Sequence, residues 1–422
     1  MSFLKSEELM RLYFSEIIFL IPYITYNNEQ VEEREVDERG RNALHILCSQ
    51  REYEEPYWMI RRLIKRKFNP NTPDKEGKTP LHLAVISENF RALKLLMKNG
   101  GNINVLDEDG WPPMFYLRRC KHMAHILKHN PDLNYRDKYG NNIFQFFCKF
   151  DPFKTNPFFM LAKHNINFGN VNNKGQNCLH ILTRYNKFIY FVGQKDDPKI
   201  KLMKFLIQKG ASVKQKNFRL ETPLHLAVVY DPDFVSVFLH AGAALDVVDE
   251  DNLTPFDIAI YEGGLALKEV IRYIVFRKHR RLPIKKRNMD LINSMEDLKK
   301  IFEELEGPME DLKNEKIVPS SPTTYYDIIS STKNELLQIV NNSGIEGMLG
   351  DVGERLSNNQ YREEILMVIE EGIFLRDQQL AIDILTESLG RRLPYLCVER
   401  IVSFMSAEMI KELINSNGNP NQ

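Results

Sequence analysis

The stretch Thr79-Pro80-Leu81-His82-Leu83-Ala84-Val85 recurs letter for letter at Thr222-Pro223-Leu224-His225-Leu226-Ala227-Val228. Identity of this length within one chain points to an internal repeat, which governs the fold before any local preference does. The frame around the first copy, Asp74…Gly77-Lys78-Thr79, returns elsewhere. It reads Asp37…Gly40…Asn42-Ala43-Leu44-His45, then Asp107…Gly110…Pro112-Pro113-Met114-Phe115, then Asp137…Gly140…Asn142-Ile143-Phe144. Further on it reads Asn172…Gly175…Asn177-Cys178-Leu179-His180 and Asp249…Asn252…Thr254-Pro255-Phe256-Asp257. The glycine position thus falls at 40, 77, 110, 140, 175, 220 and 252, with Leu220 and Asn252 replacing glycine in the last two. The longest interval contains Tyr190 to Lys199, which reads as a loop insertion.

The residue types suit a helix-turn-helix unit. Thr79 can cap a helix with its hydroxyl, and Pro80 at the first helical position loses nothing by lacking an N–H. Leu81 and Ala84 share one face, and the small Ala lets a neighbouring helix approach. A second helix follows in Phe90 to Lys98, where Leu93, Leu96 and Met97 form an apolar stripe. Gly100, Gly210 and Gly242 then read as left-handed helix stops. Such a unit cannot bury its apolar face alone, so copies must stack.

These motifs resemble the ankyrin-repeat family over residues 37–275, with seven repeats on a period of about 33 residues. The resemblance is sharpest at Thr79-Pro80-Leu81-His82 and Thr222-Pro223-Leu224-His225, and weakest where the His position holds Phe115 or Gln145. It implies an all-α solenoid that binds a target protein through residues the repeat leaves variable. Residues 1–36 are expected to form helix covering the first repeat. His45, His82, His180 and His225 recur once per repeat and would lie apart along a stack. They read as structural groups bonding the cap and nearby backbone, and no metal or cofactor is expected. The hairpin Asp residues read as turn formers.

Composition narrows the alternatives. Lys plus Arg and Asp plus Glu number 57 each, so no global field draws the chain to nucleic acid or an anionic membrane. Five scattered cysteines (Cys48, Cys120, Cys148, Cys178 and Cys397) form no CxxC and suit a reducing compartment. No run approaches the roughly 20 apolar residues that span a bilayer. A Walker loop, HExxH, GxSxG and the kinase signatures are all missing, so an enzyme is not expected.

After the repeats, Arg277 to Arg287 carries Arg277, Lys278, Arg280, Arg281, Lys285, Lys286 and Arg287. It reads either as a nuclear-import patch or as a basic edge balancing the acidic helix Met295 to Gly307. Residues 276–321 form a linker that ends in the Pro- and Ser-rich Val318 to Thr324, and 322–422 reads as a separate helical domain. Its last stretch has Leu393-Pro394 opening a helix whose apolar positions Cys397, Ile401, Val402, Met405 and Met409 follow helical spacing. This stretch resembles the start of an F-box, although Leu396 stands where an acidic residue is common. Ankyrin repeats before a short F-box-like end resemble the PRANC proteins, named for poxvirus repeats of ankyrin with a shared C-terminal region. Relatives occur in poxviruses, intracellular bacteria and parasitoid wasps. The resemblance implies an adaptor that presents a target to an SCF-type cullin-RING ubiquitin ligase, with those seven residues docking on the ligase. It would act in the cytoplasm, of a host cell where the relatives are pathogens', with the nucleus open through the basic run. The alternative is a sequestering ankyrin protein, in the manner of inhibitors of Rel-type transcription factors, which needs the repeats alone.

Overall fold

The structure is a computed structural model. It describes residues 33, 36–51, 57–117, 120–150, 160–161, 164, 166–185, 198–317, 322–343, 352, 354–356, 359–389 and 395–417. The expected N-terminal cap, most of the 190–199 insertion, Leu393 and Pro394 lie outside these. The chain is all-α. Among the described residues the sole extended pairing is an isolated bridge between Lys316 and Thr324. The chain divides into two compact units, Met1–Pro255 and Phe256–Gln422.

In the first unit, helices α1 (Ala43–Cys48), α3 (Pro80–Ile86), α6 (Ile143–Phe150), α7 (Cys178–Tyr185) and α9 (Pro223–Tyr230) each open a repeat. Helices α2 (Tyr57–Lys65), α4 (Phe90–Lys98), α5 (Cys120–Ile126), α8 (Pro198–Gln208) and α10 (Asp233–His240) follow the openers or their counterpart. In the third repeat the opener is a single 3-10 turn, Pro113–Tyr116. Pro113 fills the first position as Pro80 does, but Pro112 stands where Thr79 caps and has no side chain with which to do so. Opening helices pack on one another in series, α1 on α3, α3 on the 3-10 turn, that turn on α6, α6 on α7 and α7 on α9. Leu81 and Leu224, alike in sequence, are both wholly buried in this ladder. Truncating either to Ala removes about 2–5 kcal/mol.

The seven turn positions hold a left-handed backbone among the described residues, including the two where glycine is replaced: Leu220 at φ 57° and Asn252 at 60°. At Gly77, φ is 73° and a Cβ would stand 2.7 Å from the Glu108 nitrogen of the next hairpin, so glycine is required twice over. Each turn is tied by one acidic or amide side chain. Asp74 Oδ1 accepts from the Glu76 and Lys78 N–H groups at 2.9 and 2.8 Å. Asp137, Asn172, Asn217 and Asp249 repeat the arrangement. The expectation that these residues make turns thus has its bonds in the structure.

The opening of the second unit falls at α11 (Pro255–Glu262), followed by α12 (Gly264–His279), α13 (Lys286–Ser294), α14 (Glu296–Asp311), α15 (Tyr325–Ser330) and α16 (Lys333–Ser343). The long α17 (Arg362–Leu389) is its centre, and α15, α16, α18 (Tyr395–Ser403) and α19 (Ala407–Asn417) all pack on it. The borders read from sequence at 275 and 321 both fall inside this unit.

Candidate protein-docking surfaces

The repeating histidine is the first residue to place. His82 is buried, and its Nδ1 accepts the Thr79 N–H at 3.1 Å and lies 3.0 Å from Thr79 Oγ1. A nitrogen that accepts carries no proton, so the proton sits on Nε2. Nε2 therefore donates to the Trp111 carbonyl of the next repeat, at 3.0 Å. His45 reaches Lys78 O and His180 reaches Glu221 O in the same way, both at 3.1 Å. Thr222 and His225 repeat the cap. One side chain thus closes its own helix start and bridges to the following unit. Burial lowers the pKa of all four, His180 to about 4, and the cap, in which Nδ1 accepts a backbone N–H in every copy, requires the neutral ring. Among the described residues no group of three or more His, Cys, Asp and Glu is placed to hold a metal.

Gln145 takes the same role in the fourth repeat. Its Oε1 accepts the Asn142 N–H at 3.1 Å, and its Nε2 donates to Gln176 O of the next repeat at 3.0 Å. The repeat that looked weak is chemically intact, since an amide offers an acceptor and a donor at opposite edges as imidazole does. Phe115 in the third repeat can do neither. It packs instead in a ring cluster with Trp111, Tyr135 and Phe146. Tyr116 Oη donates to Asp107 at 2.5 Å and ties that hairpin from outside.

A second set of bridges has no counterpart in the sequence motif. Asn71 Oδ1 accepts from the Asn102 N–H, Asn104 Oδ1 from Asp132 and Asn134 Oδ1 from Asn167, at 2.7–3.0 Å. The sequence signal is the spacing Asn-x-Asn, or Asp-x-Asn at Asp132-Leu133-Asn134, as in Asn102-Ile103-Asn104 around the buried Ile103.

With the inward residues committed to stacking, the outward ones are left for binding. The hairpins present Tyr139 and Phe218, and the end of α9 presents Val229 and Tyr230. Hairpins bond edge to edge through the backbone, with Asn173 N–H donating to Tyr139 O and Phe218 N–H to Lys174 O.

In the second unit, Ala381 and Ile382 of α17 form a core with Val398 and Val402 of α18 and Ile410 of α19, and Met405 packs against it. Val402 and Met405, read as docking residues, therefore face this core. Ile401 and Met409 face outward, joined by Leu396 and Phe404, which are 75% and 81% exposed. Cys397 lies on α18. Sequence spacing gave one apolar stripe without saying which side met the long helix.

The basic run is drawn into the second unit's structure. Arg280 Nη1 donates to the Ile328, Ile329 and Ser331 carbonyls, and its Nη2 pairs with Glu371 at 3.0 Å. Arg277 donates to Pro283 O, and Arg287 pairs with Asp257 at 2.8 Å. Lys278 pairs with Glu306 of the acidic helix at 2.5 Å. Arg281, Lys285 and Lys286 are exposed.

Comparison with known proteins agrees with the geometry. Residues 17–107 match the model described as "Ankyrin repeats (3 copies)". The chain carries ankyrin repeats. It is 22% identical over 285 residues to human SH3 and multiple ankyrin repeat domains protein 2, covering 64% of this chain and 15% of that protein. It is 24% identical over 267 residues to an ankyrin repeat protein of variola virus, covering 60% of this chain and 38% of the viral one. The chain therefore spans well under half the length of either relative. Among solved structures, the ankyrin repeat domain of Bcl-3 aligns with 52% of this chain and 95% of its own, at 20% identity and TM-score 0.44. Ankyrin repeats imply protein–protein interaction. No helix of the described residues is long and apolar enough to cross a membrane.

Proposed function

We propose that this protein is a recruiting adaptor: the repeats hold a target protein and the last two helices engage an SCF-type cullin-RING ubiquitin ligase. No residue of the chain need do chemistry, because holding both parties together raises the effective concentration of target at the ligase. The observation that carries the reading is the outward apolar set Leu396, Ile401, Phe404 and Met409. A pair of helices already packed on α17 gains nothing within the fold from exposing them, and large exposed apolar groups gathered in one segment mark interaction sites. The similarity to a poxvirus ankyrin protein supports the PRANC-like reading. In that reading Leu393, Pro394 and Cys397 also dock on the ligase, and the protein acts in the cytoplasm of a host cell.

The test is affinity capture with mass spectrometry on Ile401→Asp/Phe404→Asp. The adaptor reading expects cullin-RING subunits to vanish from the capture while the target remains. Retention of those subunits would overturn it. Retention of full biological effect by the same variant would favour sequestration by the repeats alone.

A further inference from the structure

We infer that the edge formed by hairpins four to six is a docking site for an acidic protein segment that also carries apolar side chains. This rests on the adaptor reading and names the class of its target. The three hairpins carry Arg136, Lys138, Lys174, Lys214, Lys216 and Arg219 against Asp137 and Glu221, a net charge of +4. Asp137 is buried in its turn, whereas Lys138, Lys174, Lys214 and Arg219 are exposed. The chain as a whole is neutral, so this is a local concentration.

The edge is continuous, because backbone bonds join hairpin four to five and five to six. Two rings stand among the cations. Tyr139 is 54% and Phe218 75% exposed, with Lys138 and Lys149 each under 6 Å from the Tyr139 ring centre. A partner is thus offered apolar anchor points between charges, the composition of a protein interface.

Both borders show what the cations bind. Asp109 of hairpin three meets Lys138 at 3.4 Å, and Glu250 of hairpin seven meets Arg219 at 2.5 Å. Carboxylates already occupy the outermost cations, Arg136 and Lys216 are bonded to backbone carbonyls, and the exposed Lys174 and Lys214 between them offer a partner's carboxylates the same chemistry. These flanks also favour protein over nucleic acid. Hairpins three and seven hold Asp107, Glu108 and Asp109, and Asp249, Glu250 and Asp251, which would repel a phosphate backbone running past either end. A short acidic segment fits between them.

The experiment is fluorescence anisotropy on the full chain with a labelled Glu–Leu peptide, its Lys–Leu counterpart and a single-stranded oligonucleotide. The Glu–Leu peptide is expected to bind alone, more weakly as salt rises. Lys138→Glu/Lys174→Glu/Lys214→Glu/Arg219→Glu should raise its Kd about tenfold or more and flatten the salt dependence. Phe218→Ala should raise Kd about fivefold with the salt dependence kept. If the fourfold variant does not fold by circular dichroism, Lys174→Glu/Lys214→Glu carries the test. Equal binding of both peptides, tighter binding of the oligonucleotide, or an unchanged Kd after charge reversal overturns the inference. The adaptor reading fails separately: Ile401→Asp/Phe404→Asp should leave peptide binding intact, and ligase capture alone judges it.

Discussion

The two units bury polar groups by opposite means. In the first, one device is copied: a capping residue and a buried neutral His or Gln, repeated from Asn42–His45 to Thr222–His225. In the second, charged links are used once each: Arg280 gathers three carbonyls and Glu371, and Glu364 lies buried 3.3 Å from Arg272. A copied neutral device spreads its contribution over many sites, so losing one copy is survivable. A single-use charged link concentrates it.

The largest effect is therefore expected in the second unit. Arg280→Met keeps an unbranched apolar stem and takes the guanidinium donors away from the Ile328, Ile329 and Ser331 carbonyls, of which Ile328 O keeps its bond from Ser331 Oγ. It should cost about 3 kcal/mol, read from denaturant unfolding, and hydrogen exchange should rise at residues 325–331. A cost under about 1 kcal/mol would erase the contrast between the units.

The matching change in the first unit sharpens it. His180→Leu should cost about 2 kcal/mol, because the Glu221 carbonyl and Asn177 N–H lose their buried partner. His180→Gln should recover most of that loss, since Gln145 does the same task one repeat earlier. This exchange also marks how far the sequence could be read. Thr79, Pro80, Leu81 and His82 declare their repeat because the family uses those letters, and Leu220 and Asn252 were placed by spacing alone. Gln145 looked like a departure, because letters compare residue names and the fold compares donors and acceptors. The asparagine bridges were hidden for a different reason: each joins residues about thirty positions apart, and no local pattern announces the partner. At the C-terminus the apolar stripe of α18 was legible, but the division between Val402 and Ile401 depends on where α17 lies.

Acid should act with opposite sign through His180 of the first unit and Glu364 of the second, with buried His279 of the second unit, whose pKa is also lowered, opposing Glu364 in part. The unfolded chain's histidines take up protons near pH 6.5, whereas His180 in the fold does so only near 4. Unfolding therefore binds protons across that window, and the first unit weakens as pH falls through it, by about 3 kcal/mol for His180 alone. Burial, opposed by Arg272, pushes Glu364 up to about 7 from 4.5. The fold there holds a proton the unfolded chain has released, so the second unit loses stability as pH rises between those values. Both tryptophans, Trp58 and Trp111, lie in the first unit, so their fluorescence reports it alone during unfolding. Hydrogen exchange within α17 reports the second. His180→Gln should flatten the first slope and Glu364→Gln the second. Parallel slopes in the two signals would break the comparison.

The smallest effect tests the copied device at its least regular copy. Leu220 holds φ 57° at a position where five other turns use glycine, a conformation that costs a non-glycine residue about 1–2 kcal/mol. Glycine would relieve this strain but widen the unfolded ensemble, which returns part of the gain. Leu220→Gly is therefore expected to raise the first unit's stability by about 0.5–1 kcal/mol, seen as a later tryptophan unfolding midpoint. The side chain is 45% exposed, so little burial is lost with it. A loss of stability instead would mean that the exposed leucine contributes packing on the hairpin edge beside Phe218. The copied turn would then be less interchangeable than its shared backbone angles indicate.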